Sequence, residues 1–204
     1  GAQCTFEQDG ELNDLNTVAA IWYRRLHVGA GIPDTMAPQL RRASIDESRA
    51  ALLGLIASLP VFQMDAFSTV RHASIKPLQL SVARSLGLQI PRTLISNDPV
   101  KVREFAASCP GGIVAKMLTS FHVFEGGIEK VVFTNPVTPE ALERLEMLQY
   151  SPMAFQEQIP KMLELRITVV ADRFFVAGVD SSRLDLARDD WRRRGHALID
   201  SWRA

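Results

Sequence analysis

The hydrophobic pattern of this chain changes period several times, and a proline, a glycine or a charged pair marks most changes. Asp9-Gly10 is a turn signal in a mixed, polar opening. Ala19 to Tyr23 reads as a short strand closed by Arg24-Arg25. Residues 27–43 hold Gly29, Gly31, Pro33 and Pro38 without periodicity and read as a long loop. Ser44 followed three residues later by Glu47 then has the form of a capping box. Leu52, Leu55, Ile56 and Leu59 recur at helical spacing behind it, so a helix is expected to stop near Pro60.

A second helix is expected from about Ser74, with Pro77 in its first turn and Leu78, Val82 and Leu86 on one face. Gly87 is its natural stop. Leu88 to Ile95 is strand-like, and Asn97-Asp98-Pro99 opens a third helix carrying Val102, Phe105 and Ala106. Ile113 to Leu118 is a short strand interrupted by Lys116. Phe121 to Phe133 reads as a hairpin around Gly126-Gly127. Thr138-Pro139-Glu140 starts a fourth helix over 139–148 with Leu142, Leu145 and Leu148 as its stripe. Strands follow at 153–158, 165–171 and 174–179, and the last ten residues form a possible further helix. Neighbouring strands joined by hairpins predict an α+β fold with mostly antiparallel sheets and packed helices.

The 204 residues suffice for one large domain or two small ones. With 23 basic and 23 acidic residues the formal charge is zero, so nothing global favours nucleic acid or an anionic membrane surface. A local anion site remains open, because net charge does not see clustering. Cys4 and Cys109 make neither a disulfide framework nor a CxxC knuckle and read as free thiols of a reducing, cytoplasmic compartment. No apolar run approaches the ~18 residues of a membrane span. Gly1-Ala2 in place of an initiating Met reads as a cut end.

Several chemistries find no motif. His27, His72, His122 and His196 are scattered, without an HExxH pair or zinc spacing, and there is no GxSxG elbow and no GxxxxGK[ST] loop. Lys116 lies inside an apolar strand, either on its wet face, the commoner arrangement, or reaching an anion. Lys76 is either a solvated first-turn lysine or a second such contact. Gln156-Glu157-Gln158-Ile159 is a strand end whose backbone could offer adenine one donor and one acceptor, as many strand ends could. Glu164 and Arg166, two apart, share one face of a strand. They are either a surface ion pair of small worth or a polar face above a nucleotide. Asp190-Trp191-Arg192 reads as a surface turn with its tryptophan packed.

In order, several segments form a pattern: Ile21-Trp22-Tyr23-Arg24-Arg25; Lys76 with Gln79-Leu80 and Leu86-Gly87-Leu88; the run Ile90 to Pro99, IPRTLISNDP; Phe155 to Ile159 with Lys161; Glu164 to Val170, ELRITVV; and Asp190-Trp191-Arg192. From about Val18 to Arg192 the chain resembles the ATP-grasp ligases that mature microviridin-type peptides, the graspetide macrocyclases, relatives of the ribosomal-protein glutamate ligases. The resemblance implies a partial ATP-grasp fold. Residues 1–73 would be the remainder of an N-terminal α/β domain with its linker, 74–152 a central lid, and 153–204 the first part of the grasping domain.

It also implies chemistry. ATP with Mg2+ would phosphorylate a side-chain carboxylate of a ribosomally made precursor peptide. A hydroxyl or amine of the same peptide would then attack the acyl phosphate, closing an ester or amide ring. By position, Lys76 and Lys116 would contact phosphate, Glu157, Gln158 and Ile159 would form the adenine hinge, and Glu164 would face the ribose with Arg166 beside it. No residue is assigned to catalysis or to metal, since the family's Glu-x-Asn magnesium ligands lie in a later segment. The chain is therefore expected to be truncated at both ends and inactive alone. Leu26-His27-Val28 also stands where the family has a proline after Trp-Tyr-Arg-Arg. The implied partner is a precursor peptide with a leader helix, and a homodimer is compatible. Two alternatives stand beside this: an ATP-grasp ligase that adds an amino acid to a small molecule or protein tail, and a non-catalytic leader-binding fragment.

Overall fold

The computed structural model describes residues 5–8, 10–23, 28–119, 122–125 and 128–203. Cys4, Arg24-Arg25, Leu26-His27, Phe121 and the Gly126-Gly127 turn lie outside them. The chain divides into two compact units, Gly1–Val82 and Ala83–Ala204.

In the first unit, β1 (Thr5–Gln8) and β2 (Glu11–Asp14) form an antiparallel hairpin with Gly10 in its turn. Strand β3 (Ala20–Trp22) pairs in parallel with β4 (Phe62–Met64). A parallel pair needs a long crossover, and helix α1 (Pro38–Ser58) lies within it. This corrects the expected loop over 27–43 and the cap at Ser44. Pro38 supplies the pre-set φ and the missing N–H suited to a first helical position, so the helix starts there and Ser44 falls inside it. Asp46 then bridges Arg42 and Arg49 at helical spacing, holding that added length.

Helix α2 (Phe67–Ala73) is short and was not expected; helix α3 (Lys76–Ser85) has Pro77 in its first turn as expected. The chain leaves α3 through Gly87 at φ +75°. There Leu88 N–H donates to the Ala83 carbonyl and Gly87 N–H to that of Arg84, both at 3.0 Å. These two bonds satisfy carbonyls the helix end leaves open, and the positive φ is why a glycine stands there.

The second unit runs β5 (Thr93–Ser96), α4 (Pro99–Ala107), β6 (Ile113–Lys116), β7 (His122–Glu125), β8 (Ile128–Val131) and β9 (Asn135–Pro136). It continues with α5 (Pro139–Glu143), β10 (Met153–Glu157), β11 (Glu164–Val170) and β12 (Arg173–Val179). One four-stranded sheet has the order β5-β10-β6-β9, antiparallel throughout, while β7-β8 and β11-β12 are separate hairpins. The expected strand 88–95 shortens to β5, because Pro91 cannot donate to a ladder. The expected helix 139–148 is α5 followed by a 3-10 turn, Glu146–Tyr150. Leu142, Leu145 and Leu148 repeat every three residues, closer to the 3-10 period than to 3.6, and all three still reach the core.

That core holds Val102, Cys109, Ile113, Leu148 and Phe155, all buried between the sheet and its covering helices. Asp98 caps α4, its Oδ1 accepting from Val100 N–H at 2.8 Å and Lys101 N–H at 3.4 Å. Asp98→Ala should lower stability by about 1 kcal/mol, read as a lower urea midpoint at unchanged slope. A second cluster, Val179, Ala187 and Leu198, forms where 3-10 turns at 181–183, 185–187 and 191–201 fold back on β12. Trp191 and Trp202 meet edge-to-face at 5.1 Å. Backbone bonds of 2.7 and 2.9 Å tie Gly178 to Arg203. The expected terminal helix is thus a 3-10 segment, Trp191–Ser201.

Candidate functional site

The central sheet has two unlike faces, set by strand alternation. Phe155 lies opposite Ala115, and with Ile113 these side chains enter the core. Val114, Lys116 and Gln156 alternate to the other face, which floors a cavity of about 780 Å³. The wet face expected for Lys116 is therefore the wall of a cleft.

Gln156 is almost fully buried, and its amide nitrogen has a partner: Nε2 donates to Thr93 Oγ1 at 2.9 Å, and that hydroxyl donates to the Pro91 carbonyl. Glu157 N–H donates to the Arg92 carbonyl and Gln158 N–H to that of Gly112, each at 3.0 Å. The chain then leaves the sheet through Ile159-Pro160. Gly112 has φ +87°, and a Cβ there would stand 3.3 Å from Gln158 Oε1, so conformation and space both call for glycine.

Glu164 opens β11. Its Oε1 accepts from Lys161 Nζ at 2.9 Å, so the ion pair forms with Lys161, not with Arg166. Its Oε2 is buried and, among the described residues, accepts no hydrogen bond. A buried carboxylate oxygen without a donor is costly, and it invites a ligand hydroxyl or N–H.

Six of the seven residues singled out in sequence, Lys116, Glu157, Gln158, Ile159, Glu164 and Arg166, line this one cavity. The seventh, Lys76, opens α3 in the first unit. Sequence reasoning missed the cavity's other wall, residues 188–192. Asp190 was expected in a surface turn; instead it is 5% exposed. Its carboxylate accepts from Arg192 at 2.8 Å (Nε) and 2.6 Å (Nη2) and from the Thr134 and Arg192 N–H groups at 3.2 Å. Arg193 donates to the Thr134 carbonyl at 2.8 Å and to Asn135 Oδ1. An aspartate two residues before an arginine, at the start of a helical turn, was the available signal. What it could not show was the partner, Thr134, 56 residues earlier.

Burial pushes the Asp190 carboxyl up, but hydrogen bonds from Arg192 and from the Thr134 backbone outweigh it and hold the group below its ordinary range. Arg192 is raised by its hydrogen bond to Asp190, with the Coulombic pull of Asp190 and then of Glu164 adding. A lowered folded value means that stability from Asp190 is present above about pH 4, the unfolded range, and is lost as pH falls through the folded value. Acid titration of wild type and Asp190→Asn should show the wild-type excess stability shrinking below about pH 4; a gap constant down to pH 2 would contradict it.

Among the described residues no three His, Cys, Asp or Glu side chains converge as a metal site, and no helix is long and apolar enough to cross a membrane.

Residues 1–71 match the family model described as the MvdD pre-ATP grasp domain. Solved structures match along nearly the whole chain. The macrocyclase MdnC of Microcystis aeruginosa MRC, bound with precursor peptide MdnA, is 47% identical with a TM-score of 0.83 over 94% of this chain and 61% of its own. A RiPP-associated ATP-grasp ligase of Chryseobacterium gregarium, in complex with ADP and a leader and core peptide, is 36% identical with a TM-score of 0.82 over 98% and 63%. The macrocyclase MdnB of Microcystis aeruginosa MRC is 29% identical with a TM-score of 0.71 over 97% and 67%. No curated protein matches. The chain spans under two thirds of the first two of these structures, and across that span it has their ATP-grasp fold. The resemblance to ATP-grasp ligases of the microviridin type thus holds in structure as well as in motif.

Proposed function

We propose that this chain carries the nucleotide-binding part of an ATP-dependent ligase that closes ester or amide rings in a ribosomally made precursor peptide. The observation that carries the proposal is one cleft shared by a hydrogen-bonded strand end, Glu157 to Ile159, a half-buried Lys116, and a Glu164 oxygen that accepts no hydrogen bond among the described residues. Its volume, about 780 Å³, lies within the usual range for small-molecule sites. Backbone groups of 157–159 receive adenine, Glu164 Oε2 accepts from a ribose hydroxyl, and Lys116 and Arg166 stand towards the phosphates. Lys76 is placed with them on the resemblance alone. Magnesium would supply neutralisation of phosphate charge in such a ligase; among the described residues no cluster of carboxylates, histidines or cysteines would hold it, and no step below depends on it.

In the proposed reaction a peptide carboxylate oxygen attacks the γ-phosphorus and ADP leaves. A peptide hydroxyl or amine then attacks the acyl carbon, phosphate leaves, and the nucleophile's proton goes to solvent. Each ring therefore removes one water from the peptide. The protein's part is positioning and charge stabilisation.

We place the leader helix near α5 and the 3-10 turn Glu146–Tyr150 that follows it, where Met147 and Tyr150 are each 74% exposed. We also keep the three-part division that the resemblance implies, 1–73, 74–152 and 153–204.

The test is co-expression of the full-length gene product, of which this chain would be the nucleotide-binding part, with a neighbouring precursor gene and mass spectrometry of the peptide. Loss of one water per ring is the expected result. An unmodified peptide, together with no thermal stabilisation by ADP or ATP, would sink the proposal. Attachment of an amino acid to another acceptor would favour the tail-modifying alternative.

A further inference from the structure

Besides the packing of Trp191 on Trp202, side-chain hydrogen bonds clip segment 189–193 to two other places in the second unit among the described residues. One is the Thr134-Asn135 clasp by Asp190 and Arg193. The other is a side-chain bond from Gln158 Nε2 to Asp189 Oδ1 at 3.3 Å. Gln158 is the residue whose N–H closes the β10 end against Gly112, and the bare Cα of Gly112 leaves room for its amide. Asp189 adjoins Asp190, which fixes Arg192 through both guanidinium contacts. Gln158, Asp189, Trp191 and Arg192 all line the same cavity.

We propose that Asp189 is a positioning residue: through its bond to Gln158 it makes the placement of Trp191 and Arg192 depend on what occupies the strand end at 157–159. The inference rests on the proposed nucleotide site. Adenine held by the hinge backbone fixes the Gln158 side chain, that amide fixes Asp189, and the arginine wall takes one position. Without the bond the Thr134 clasp still folds the segment, but the segment no longer senses the nucleotide. Coupling through one such contact is reciprocal, so loss of Asp189 also weakens nucleotide binding.

The experiment uses the intact protein, ADP as probe, and 5-fluorotryptophan labelling with the Trp191 signal assigned by Trp191→Phe. In wild type ADP shifts the Trp191 resonance. Asp189→Ala and Gln158→Ala should each lose most of that shift and bind ADP about three- to tenfold more weakly, and the double variant should be no weaker than either single one. Asp189→Asn keeps the acceptor oxygen and should restore both readouts, which separates positioning from a general loss of structure. An undiminished Trp191 shift in Asp189→Ala, or additive losses in the double variant, overturns this inference alone. No ADP binding by wild type overturns it together with the nucleotide reading.

Discussion

Replacing Phe155 with alanine is expected to destabilise the second unit by about 3–5 kcal/mol, a large share of the roughly 5–15 kcal/mol that holds a domain folded. Phe155 is 2% exposed and sits in the middle of β10, the strand paired on both sides. Its neighbours across the ladder are Leu94 and Ala115, and the buried cluster around it draws on α4, β6 and the turn at Leu148. No single element can move in to fill the volume without breaking a ladder, so the cavity term adds to the transfer term. The functional consequence follows from connectivity: Glu157, Gln158 and Ile159 are aimed by the strand that Phe155 anchors. Urea unfolding should show a much lower midpoint, with Phe155→Leu recovering more than half of the loss. A shift below about 1 kcal/mol for the alanine variant would show that β10 is not the keystone of this sheet.

How far the sequence foretold this arrangement depended on the range of the interaction. Helix starts marked by a proline and a cap, Asp98-Pro99 and Thr138-Pro139, are local and were legible. The hairpin at 164–179 was legible too, because alternation and a turn residue suffice for it. Ser44 misled because a capping box is also ordinary helix interior; the competing signal was Pro38, whose helical role shows only once the helix reaches it. The candidate site was read from motif order as much as from chemistry, since a lysine in a strand and a Glu-x-Arg pair each had a commoner explanation. Only the pairing of β6 with β10 shows that Lys116 and Gln156 share a face, because register joins residues 40 apart. Asp190 was hidden for the same reason: its burial is decided by Thr134 and by the packing of Trp191 on Trp202, neither of which a local window contains.

If the proposed function holds, a Lys116→Ala variant of the full-length gene product should lose ligation activity by about 100- to 1,000-fold, the scale seen when one preorganised charge or donor is removed from a transition state. Lys116 ends β6 opposite Ala154, on the cavity face and away from the Phe155 core. Its removal therefore leaves no hole in the packing, and the melting temperature should stay within a few degrees of wild type. The two readouts separate the commoner role of a strand lysine from the proposed one. A solvated lysine on a wet face would change neither activity nor stability by much, since exposed charges contribute roughly 0–1 kcal/mol. A phosphate contact loses charge stabilisation where phosphoryl transfer builds it up, and kcat falls more than KM rises. Lys116→Arg keeps the charge but replaces a compact ammonium with a planar fork on a different stem, so it should recover only part of the activity. Full activity in Lys116→Ala would remove this residue from the nucleotide site. The strand end at 157–159 and Glu164 Oε2 would then have to hold the nucleotide without a lysine from β6.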